Sequence, residues 1–301
     1  MVMKALKKEV FMIKTNKERI PIISVIGEVA MPIRRFPYTV SHEGELFTFP
    51  GTGGITYNIK VGDKVFGWVG DHIEPGVSIK LKDENENRAL NTYACIGNEA
   101  IVVSGDAKGS KGYVTGKHGG IEHVLVYFQE DVLEKLVIGD KIQIKAKGQG
   151  LKIEGLDDVI FYNLDPNLLE KMEEIGLKIK NGVLFFPVTH IIPPAIMGSG
   201  LGSITTSSGD YDITTQDKES IKKYGLEDLR FGDIVALIDT DNRYGRCLKK
   251  GAVSIGVIVH SNCVIAGHGP GVTTIATSVK GKIKPIKNKQ ANIGYLLGIL
   301  E

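Results

Sequence analysis

The sequence of 301 residues lacks any long apolar run. Its most apolar stretch, residues 255–259, has the length of a strand and falls far short of the roughly 18 residues that cross a membrane. The apolar stretch near the start, residues 10–13, is too short for the core of a secretory signal, which has about 7–15 residues. We therefore expect a soluble, cytoplasmic protein with no membrane partner.

Cysteine is also scarce, because the chain has only Cys95, Cys247 and Cys263. An odd number of scattered cysteines without a C-x-x-C pair argues against a disulfide scaffold or a zinc ribbon. Arginine supplies only seven of the 37 basic residues, and this lysine-rich composition is typical of heat-loving organisms. The net charge of +2 excludes a polybasic nucleic-acid tail and an acidic solvating chain.

Glycine, by contrast, is abundant, with 37 residues spread between short β-branched runs. Frequent turns between short strands are typical of barrels and sandwiches. We therefore predict a mainly β, multi-domain protein. It would combine small SH3-like or OB-like barrels with a larger C-terminal β-domain and a few packing helices.

One turn motif recurs three times, and each copy places Gly-Asp before an apolar strand start. The copies are residues 61–65, 138–142 and 231–235. Glycine accepts a positive φ and aspartate bonds its own backbone, so each copy predicts a turn that feeds a strand. One such turn per module predicts three modules, at about residues 1–90, 91–155 and 156–301.

Two segments carry helix signals. Asp165, followed by proline, is suited to an N-cap, and Gly176 is suited to the C-terminal end of the same helix. A second helix is expected over residues 218–224, ending at Gly225. The polar stretch 82–88 predicts an exposed loop.

The spacing of valine, glycine and lysine over residues 100–114 resembles a KOW element, a motif of SH3-like barrels in ribosomal proteins and transcription factors. The resemblance implies a barrel hairpin whose loop exposes lysine to phosphate. The basic rim would consist of Lys108, Lys111, Lys117 and His118. Acidic residues follow soon after and stacking aromatics are few, so nucleic acid is the less favoured partner.

Two glycine-rich loops in the last part of the chain are candidates for ligand binding, because clustered glycines let several backbone N–H groups point at one anion. The first loop contributes Gly198, Ser199, Gly200 and Gly202. The second contributes Gly267, Gly269 and Gly271. Neither matches a Walker A loop or a Rossmann fingerprint. The alternative is that both are tight turns between strands.

Four ionisable residues near these loops are candidate catalytic groups: Asp210, Asp212, His260 and His268. His268 lies within the second loop, where an imidazole would be accessible as a general acid or base. Asp239 and Asp241 end an apolar strand at positions i and i+2, so their carboxylates would point to one side and could hold a divalent metal. Equally, this pair could cap the turn that follows.

Over its full length the chain resembles an uncharacterised family of bacterial proteins of unknown function. The segments that carry the resemblance are residues 224–235, 250–260 and 266–272. Membership implies a mainly β, multi-domain fold without an established activity.

A shorter stretch, residues 184–212, is similar to the acetamidase/formamidase family. Asp210 and Asp212 stand at the acidic positions of that family's Gly-Asp-Gly-Glu element, whereas Leu201 and Ser203 stand where the family has aspartate and histidine. The resemblance implies hydrolysis of a C–N bond with the two aspartates in the site.

The sequence leaves three functions open. The first is binding of a small anionic or amide-bearing molecule between the two glycine loops, with hydrolysis of a C–N or ester bond. In it, Asp210 or His268 would act as general base and a divalent metal would be the cofactor. The second is RNA binding through the barrel hairpin, and the third is a β scaffold that binds a protein partner. We also expect a homo-oligomer.

Overall fold

The computed structural model describes residues 13–34, 36–198 and 205–301. A short 3-10 turn, Lys17–Arg19, precedes the first strand. The other elements of the first half, in chain order, are β1 (Ile23–Val29), β2 (Thr39–Val40), β3 (Leu46–Phe47), β4 (Ile55–Thr56), β5 (Gly76–Lys80), α1 (Glu84–Tyr93), β6 (Glu99–Val102), β7 (Lys111–His118), β8 (His123–Tyr127), α2 (Glu130–Leu133) and β9 (Lys141–Ala146).

Six of these strands close into an antiparallel barrel, in the order β1-β9-β6-β7-β8-β5, with β5 pairing back to β1. Alternate residues of β9, among them Ile142 and Ile144, are buried because successive side chains of a strand point to opposite faces. They pack with Val77, Val114 and Val126 inside the barrel. The predicted small barrel is therefore present. Its strands come from both of the first two predicted modules, so the boundary proposed at residue 90 lies within the barrel.

The polar stretch predicted as a loop begins a helix instead. Asp83 caps α1, and its carboxylate accepts hydrogen bonds from the amides of Asn85 and Glu86. Only Asn87, Leu90 and Asn91 are buried within the helix. The apolar spacing was too sparse to indicate a helix, whereas the N-cap alone provides the local signal.

The second half continues the β-rich pattern. Its elements are β10 (Ile160–Phe161), α3 (Pro166–Glu174), β11 (Lys178–Lys180), β12 (Val183–Val188), β13 (His190–Ile192), a 3-10 turn (Pro194–Ile196), β14 (Tyr211–Asp212), α4 (Lys218–Lys223), β15 (Ile234–Asp241), β16 (Cys247–Ile258), β17 (Gly271–Ser278), β18 (Ile283–Lys287) and α5 (Ile293–Leu296). Within the described ranges, no helix is both long and apolar enough to cross a membrane.

The second half is organised around a sheet with the strand order β10-β17-β16-β15-β13, to which β14 adds by pairing with β17. A smaller sheet has the order β11-β12-β18. Both predicted helices are confirmed: Asp165 caps α3, and Asp217 caps α4, which ends before Gly225. The prediction of a mainly β, multi-domain protein with a few packing helices is confirmed.

The three Gly-Asp motifs form the same turn. Gly62, Gly139 and Gly232 all have positive φ, between 83° and 100°. In each copy the aspartate carboxylate accepts a hydrogen bond from the amide three residues earlier, at 2.8–3.0 Å. The second and third turns lead directly into β9 and β15. The predicted turn is present in all three copies because it depends only on local residues, but the first copy is followed by an isolated bridge at Lys64 and not by a strand.

Strand β7 of the barrel lies against the C-terminal sheet. Thr273 of β17 hydrogen bonds through its hydroxyl to both the amide and the carbonyl of Lys117, at 3.2 and 2.9 Å. Gly116 packs against Val259, and a Cβ at this glycine would overlap the valine side chain. The two halves therefore meet along β7, immediately before His118.

The hairpin of β6 and β7 matches the hairpin implied by the KOW resemblance, but its basic residues are divided. Lys108 and Lys111 are exposed, whereas Lys117 and His118 are buried. Lys117 donates to Asn163 Oδ1 at 2.6 Å and to the carbonyl of Ser207 at 2.7 Å. Two of the four residues of the predicted rim therefore lie inside the protein, and RNA binding stays a prediction.

Candidate metal centre

Ionisable side chains from both halves meet where the barrel contacts the C-terminal sheet. The barrel side supplies Asp71, His72, Glu74, His118 and His123, from the loop before β5 and the hairpin of β7 and β8. The C-terminal side supplies Asp210, Asp212, His260, Cys263 and His268, from β14 and from the segments between β16 and β17. The imidazoles of His72, His118 and His260 lie with ring centroids 4.4–5.6 Å apart.

Glu74 anchors the barrel side of this cluster. His118 and His123 are cross-strand partners, and both donate Nδ1–H to the fully buried Glu74 carboxylate, His123 at 3.0 Å. Gly53 and Ser78 donate to the same carboxylate. Burial alone would raise the pKa of Glu74, but the two imidazoles lower it well below its usual range. These bonds fix the ring of His118 and leave Nε2 as its ligand atom.

His260 forms the centre of the C-terminal side. Its Nδ1 lies 2.9 Å from the carbonyl of Ser261, so Nδ1 donates to that carbonyl and Nε2 faces the carboxylates. Nε2 is 2.8 Å from Asp210 Oδ2 and 3.5 Å from Asp212 Oδ1. Within the described chain, His260 Nε2 and Asp210 Oδ2 are buried without a hydrogen bond of acceptable geometry. Burial would lower the pKa of His260, but the two carboxylates outweigh it and raise the pKa to about 10.

The two aspartates are held by backbone amides. Gly119 donates to Asp210 Oδ1 at 2.7 Å, and Gly269 donates to Asp212 Oδ2 at 3.3 Å. His268 Nδ1 also lies 2.8 Å from Asp212 Oδ2. Burial would raise the pKa of Asp212, but hydrogen bonds from the surrounding imidazoles lower it well below its usual range. The carboxylate is therefore ionised at neutral pH.

His72 approaches the cluster from a strained backbone. Its φ of 53° lies in the left-handed region, which costs a non-glycine residue about 1 kcal/mol or more. Nδ1 is 3.1 Å from Asp71 Oδ1, and the thiol of Cys263 donates to the same oxygen at 2.8 Å. Burial would lower the pKa of His72, but Asp212 and Asp71 raise it well above its usual value. Strain of this kind is concentrated at functional sites.

A cavity of about 350 Å³ opens onto the cluster. Asp71, His72, His118 and His268 line it on the polar side, and Ile33 and Phe36 lie on the apolar side. A larger cavity of about 870 Å³ lies elsewhere, beside His190 and Arg230. There His190 is paired with Asp228 at 3.1 Å and Arg230 with Asp233 at 3.0 Å, and the described residues that line the cavity include no group of histidines and carboxylates like that of the cluster. We therefore place the candidate site at the smaller cavity.

All four catalytic candidates from the sequence, Asp210, Asp212, His260 and His268, lie together in this cluster. The glycine loops also approach one another, since a Cβ at Gly198 would overlap the carbonyl of Gly267. However, the amide of Gly198 donates to the carbonyl of Asp212 at 3.0 Å, and Gly269 binds the Asp212 carboxylate. These two amides hold the aspartate segment in place. Ser199, Gly200 and Gly202 lie outside the described residues.

Gly271 has a different role from the one that we predicted for it. A Cβ at this position would overlap both Asp210 Oδ2 and His260 Nε2. Glycine is therefore required so that the backbone of β17 can lie directly against the two donor atoms.

The predicted metal pair, Asp239 and Asp241, lies outside the cluster. Asp239 has a φ of 52° at a bulge in β15 and accepts the amide of Gly251 at 2.7 Å. Asp241 pairs with Arg243 at 3.0 Å and accepts its amide. The predicted metal site required the two side chains to point to the same side of a regular strand, and the bulge removes this regularity. Each carboxylate instead has a partner of its own. This arrangement matches the capping alternative for Asp241.

Sequence reasoning missed the barrel side of the cluster. The sequence predicted no functional role for His72, and it placed His118 in a basic rim. Glu74 and His123 carried no local motif at all. The available signal was the pair His118 and His123 flanking a four-residue turn that begins with two glycines, because a hairpin places such residues side by side.

The donor set suits a first-row divalent ion of the zinc type. His118, Asp210 and His260 each offer one ligand atom, and these atoms lie within 4.8 Å of one another. Imidazole and carboxylate together are ligands for such ions, and metal-binding histidines usually donate their second ring N–H to a carboxylate or a carbonyl. His118 and His260 have that arrangement through Glu74 and Ser261. Fold and cluster together define a two-domain β protein with a buried His/Asp centre at the domain junction.

The chain belongs to the DUF4438 family. The N-terminal domain of unknown function DUF4438 matches residues 38–170, and the corresponding C-terminal domain matches residues 174–297. The crystal structure of TM1086 is similar over 94% of this chain and 98% of that chain, with 53% sequence identity and a TM-score of 0.88. No curated protein matches the chain.

Proposed function

We propose that the protein is a metal-dependent hydrolase that cleaves a C–N or ester bond in a small molecule. The proposal is carried by one observation: the ligand atoms of His118, His260 and Asp210 lie within 4.8 Å of one another, and two of them, His260 Nε2 and Asp210 Oδ2, are buried without a well-formed hydrogen bond. Buried polar atoms are normally paired, and a cation at their centre would satisfy all three. The resemblance of residues 184–212 to acetamidase/formamidase supports a C–N bond as the target.

A divalent ion held in the cluster would lower the pKa of a bound water and polarise the carbonyl of the substrate. His118, His260 and Asp210 bind the ion, and Glu74 fixes the orientation of His118. The cavity of about 350 Å³ limits the substrate to a small molecule. A cytoplasmic location and a homo-oligomeric state stay predictions from the sequence.

Asp71 is the residue that we assign to proton transfer. It lines the cavity, and hydrogen bonds from His72 and Cys263 keep its pKa below the usual value although burial opposes this. Its carboxylate is therefore ionised at neutral pH. It would take the proton of the attacking water and return it to the leaving nitrogen or oxygen as the C–N or ester bond breaks.

The test is metal analysis of the purified chain together with a screen of amide and ester substrates. We expect bound Zn²⁺ or a similar ion, turnover that chelator abolishes, and recovery on adding the ion. Asp210→Asn should lose both the ion and the activity, whereas Asp71→Asn should keep the ion and lose turnover. Glu74→Gln should lower metal affinity or activity about 10–100-fold.

The matched control is His42→Ala, which removes a histidine that bonds the carbonyl of Val264, outside the cluster. It should leave metal content and turnover unchanged. A wild-type chain that binds no divalent ion, or that binds one and hydrolyses none of the substrates, would rule the proposal out.

A further inference from the structure

A second group of donor atoms lies beside the first. His72 Nε2 is 3.4 Å from His268 Nδ1 and 3.6 Å from Asp212 Oδ2, and His268 Nδ1 is 2.8 Å from that same oxygen. Ligand atoms bound at about 2.0–2.1 Å to a tetrahedral ion lie about 3.3 Å from one another. The three atoms are therefore spaced like ligands around one ion.

Both imidazoles approach Asp212 within reach of a hydrogen bond or ion pair, but this does not explain why they also approach each other. His268 Nδ1 carries at most one proton, so it can donate to Asp212 or to His72 but not fully to both. His72 cannot turn its other nitrogen inward, because Nδ1 is held by Asp71 at 3.1 Å. The left-handed backbone of His72 persists in this position although it is strained.

Asp212 connects the two groups. Its Oδ1 lies 3.5 Å from His260 Nε2, on the side of the first ion, and its Oδ2 faces His72 and His268. A carboxylate with one oxygen toward each group can bridge two cations. With Asp71, Glu74 and Asp210, Asp212 makes four carboxylates in the cluster, and buried carboxylates are normally paired with cations.

We propose that His72, His268 and Asp212 bind a second divalent ion and that Asp212 bridges the two ions. This inference rests on the proposed function, because it presupposes the first ion at His118, His260 and Asp210. Paired ions of this kind clamp the attacking and leaving atoms of a hydrolysed bond from both sides.

The experiment measures the number of metal ions per chain in the full-length protein after loading with Zn²⁺ and removal of the excess. We expect two ions in the wild type and one in His268→Ala. The side chain of His268 is 32% exposed, so its removal should leave the thermal melting curve of the metal-free protein almost unchanged. The His42→Ala control should keep two ions.

A second readout uses the protein loaded with Co²⁺. The wild type should give the electron paramagnetic resonance signature of a coupled pair, and His268→Ala should give that of an isolated ion. This signature distinguishes the loss of one bridged ion from a general loss of affinity.

The outcomes separate this inference from the proposed function. One ion per chain in both wild type and His268→Ala would overturn the second site and leave the hydrolase proposal standing. Two ions with magnetic coupling but no turnover would support the second site and overturn the hydrolase. No bound ion would overturn both.

Discussion

Gly271 shows how closely a single backbone position can control the cluster. Any side chain there would overlap Asp210 Oδ2 and His260 Nε2, although the position is not in the left-handed region. Gly271→Ala should therefore displace the two donor atoms, lower metal affinity at least about 10-fold and cost about 1–3 kcal/mol of stability from overpacking. Metal titration and urea denaturation of the variant measure both effects.

The control for this prediction is Gly109→Ala. Gly109 has open space around its Cα and a φ of 94°, so alanine meets backbone strain but no steric conflict. It should cost about 1 kcal/mol and leave metal affinity unchanged. If both variants lost metal affinity equally, the loss would come from lower stability of the fold and not from the contact of residue 271 with Asp210 and His260.

At the scale of single elements, local signals were sufficient where the element depends on its own residues. The cap of α3, the bounds of α4 and the three Gly-Asp turns could be predicted because each is completed within a few residues. Helix α1 was missed because its buried face includes two asparagines, Asn87 and Asn91, which an apolar pattern does not reveal.

The Gly-Asp turns differ in how much they stabilise the fold. Asp140 is 5% exposed and accepts from both the amide of Val137 and the hydroxyl of Ser104. Asp140→Ala should leave these donors unpaired and cost about 2–3 kcal/mol. Asp63→Ala, in the more exposed first copy, loses the bond from the amide of Lys60 and should cost about 1 kcal/mol or less.

Urea denaturation of the two variants checks this difference, and both should keep wild-type metal content because neither turn contacts the cluster. Equal losses of stability would mean that the buried copy gains nothing from its second hydrogen bond.

At the scale of the whole molecule, the candidate site could be only half predicted. The sequence places four of the residues, Asp210, Asp212, His260 and His268, within one region of the chain. Their proximity in the fold could therefore be predicted. His72 and His118 reach the same place only because β5 and β7 belong to a closed barrel that packs against β17. Closure of the barrel and docking of the two halves depend on long-range pairing, which no local pattern in the chain encodes.

Because the ligands come from both halves, metal removal should loosen the junction between them. At an ion concentration 100 times the Kd, binding adds about 2.7 kcal/mol to stability, so chelation should lower Tm by about 5 °C. Hydrogen exchange should locate the change: protection should fall in β7 and β17, where Lys117 bonds Thr273. Strand β1, opposite β7 in the order of the barrel, should keep its protection. A uniform fall across the barrel, or unchanged protection at β7 and β17, would show that the centre does not hold the halves together.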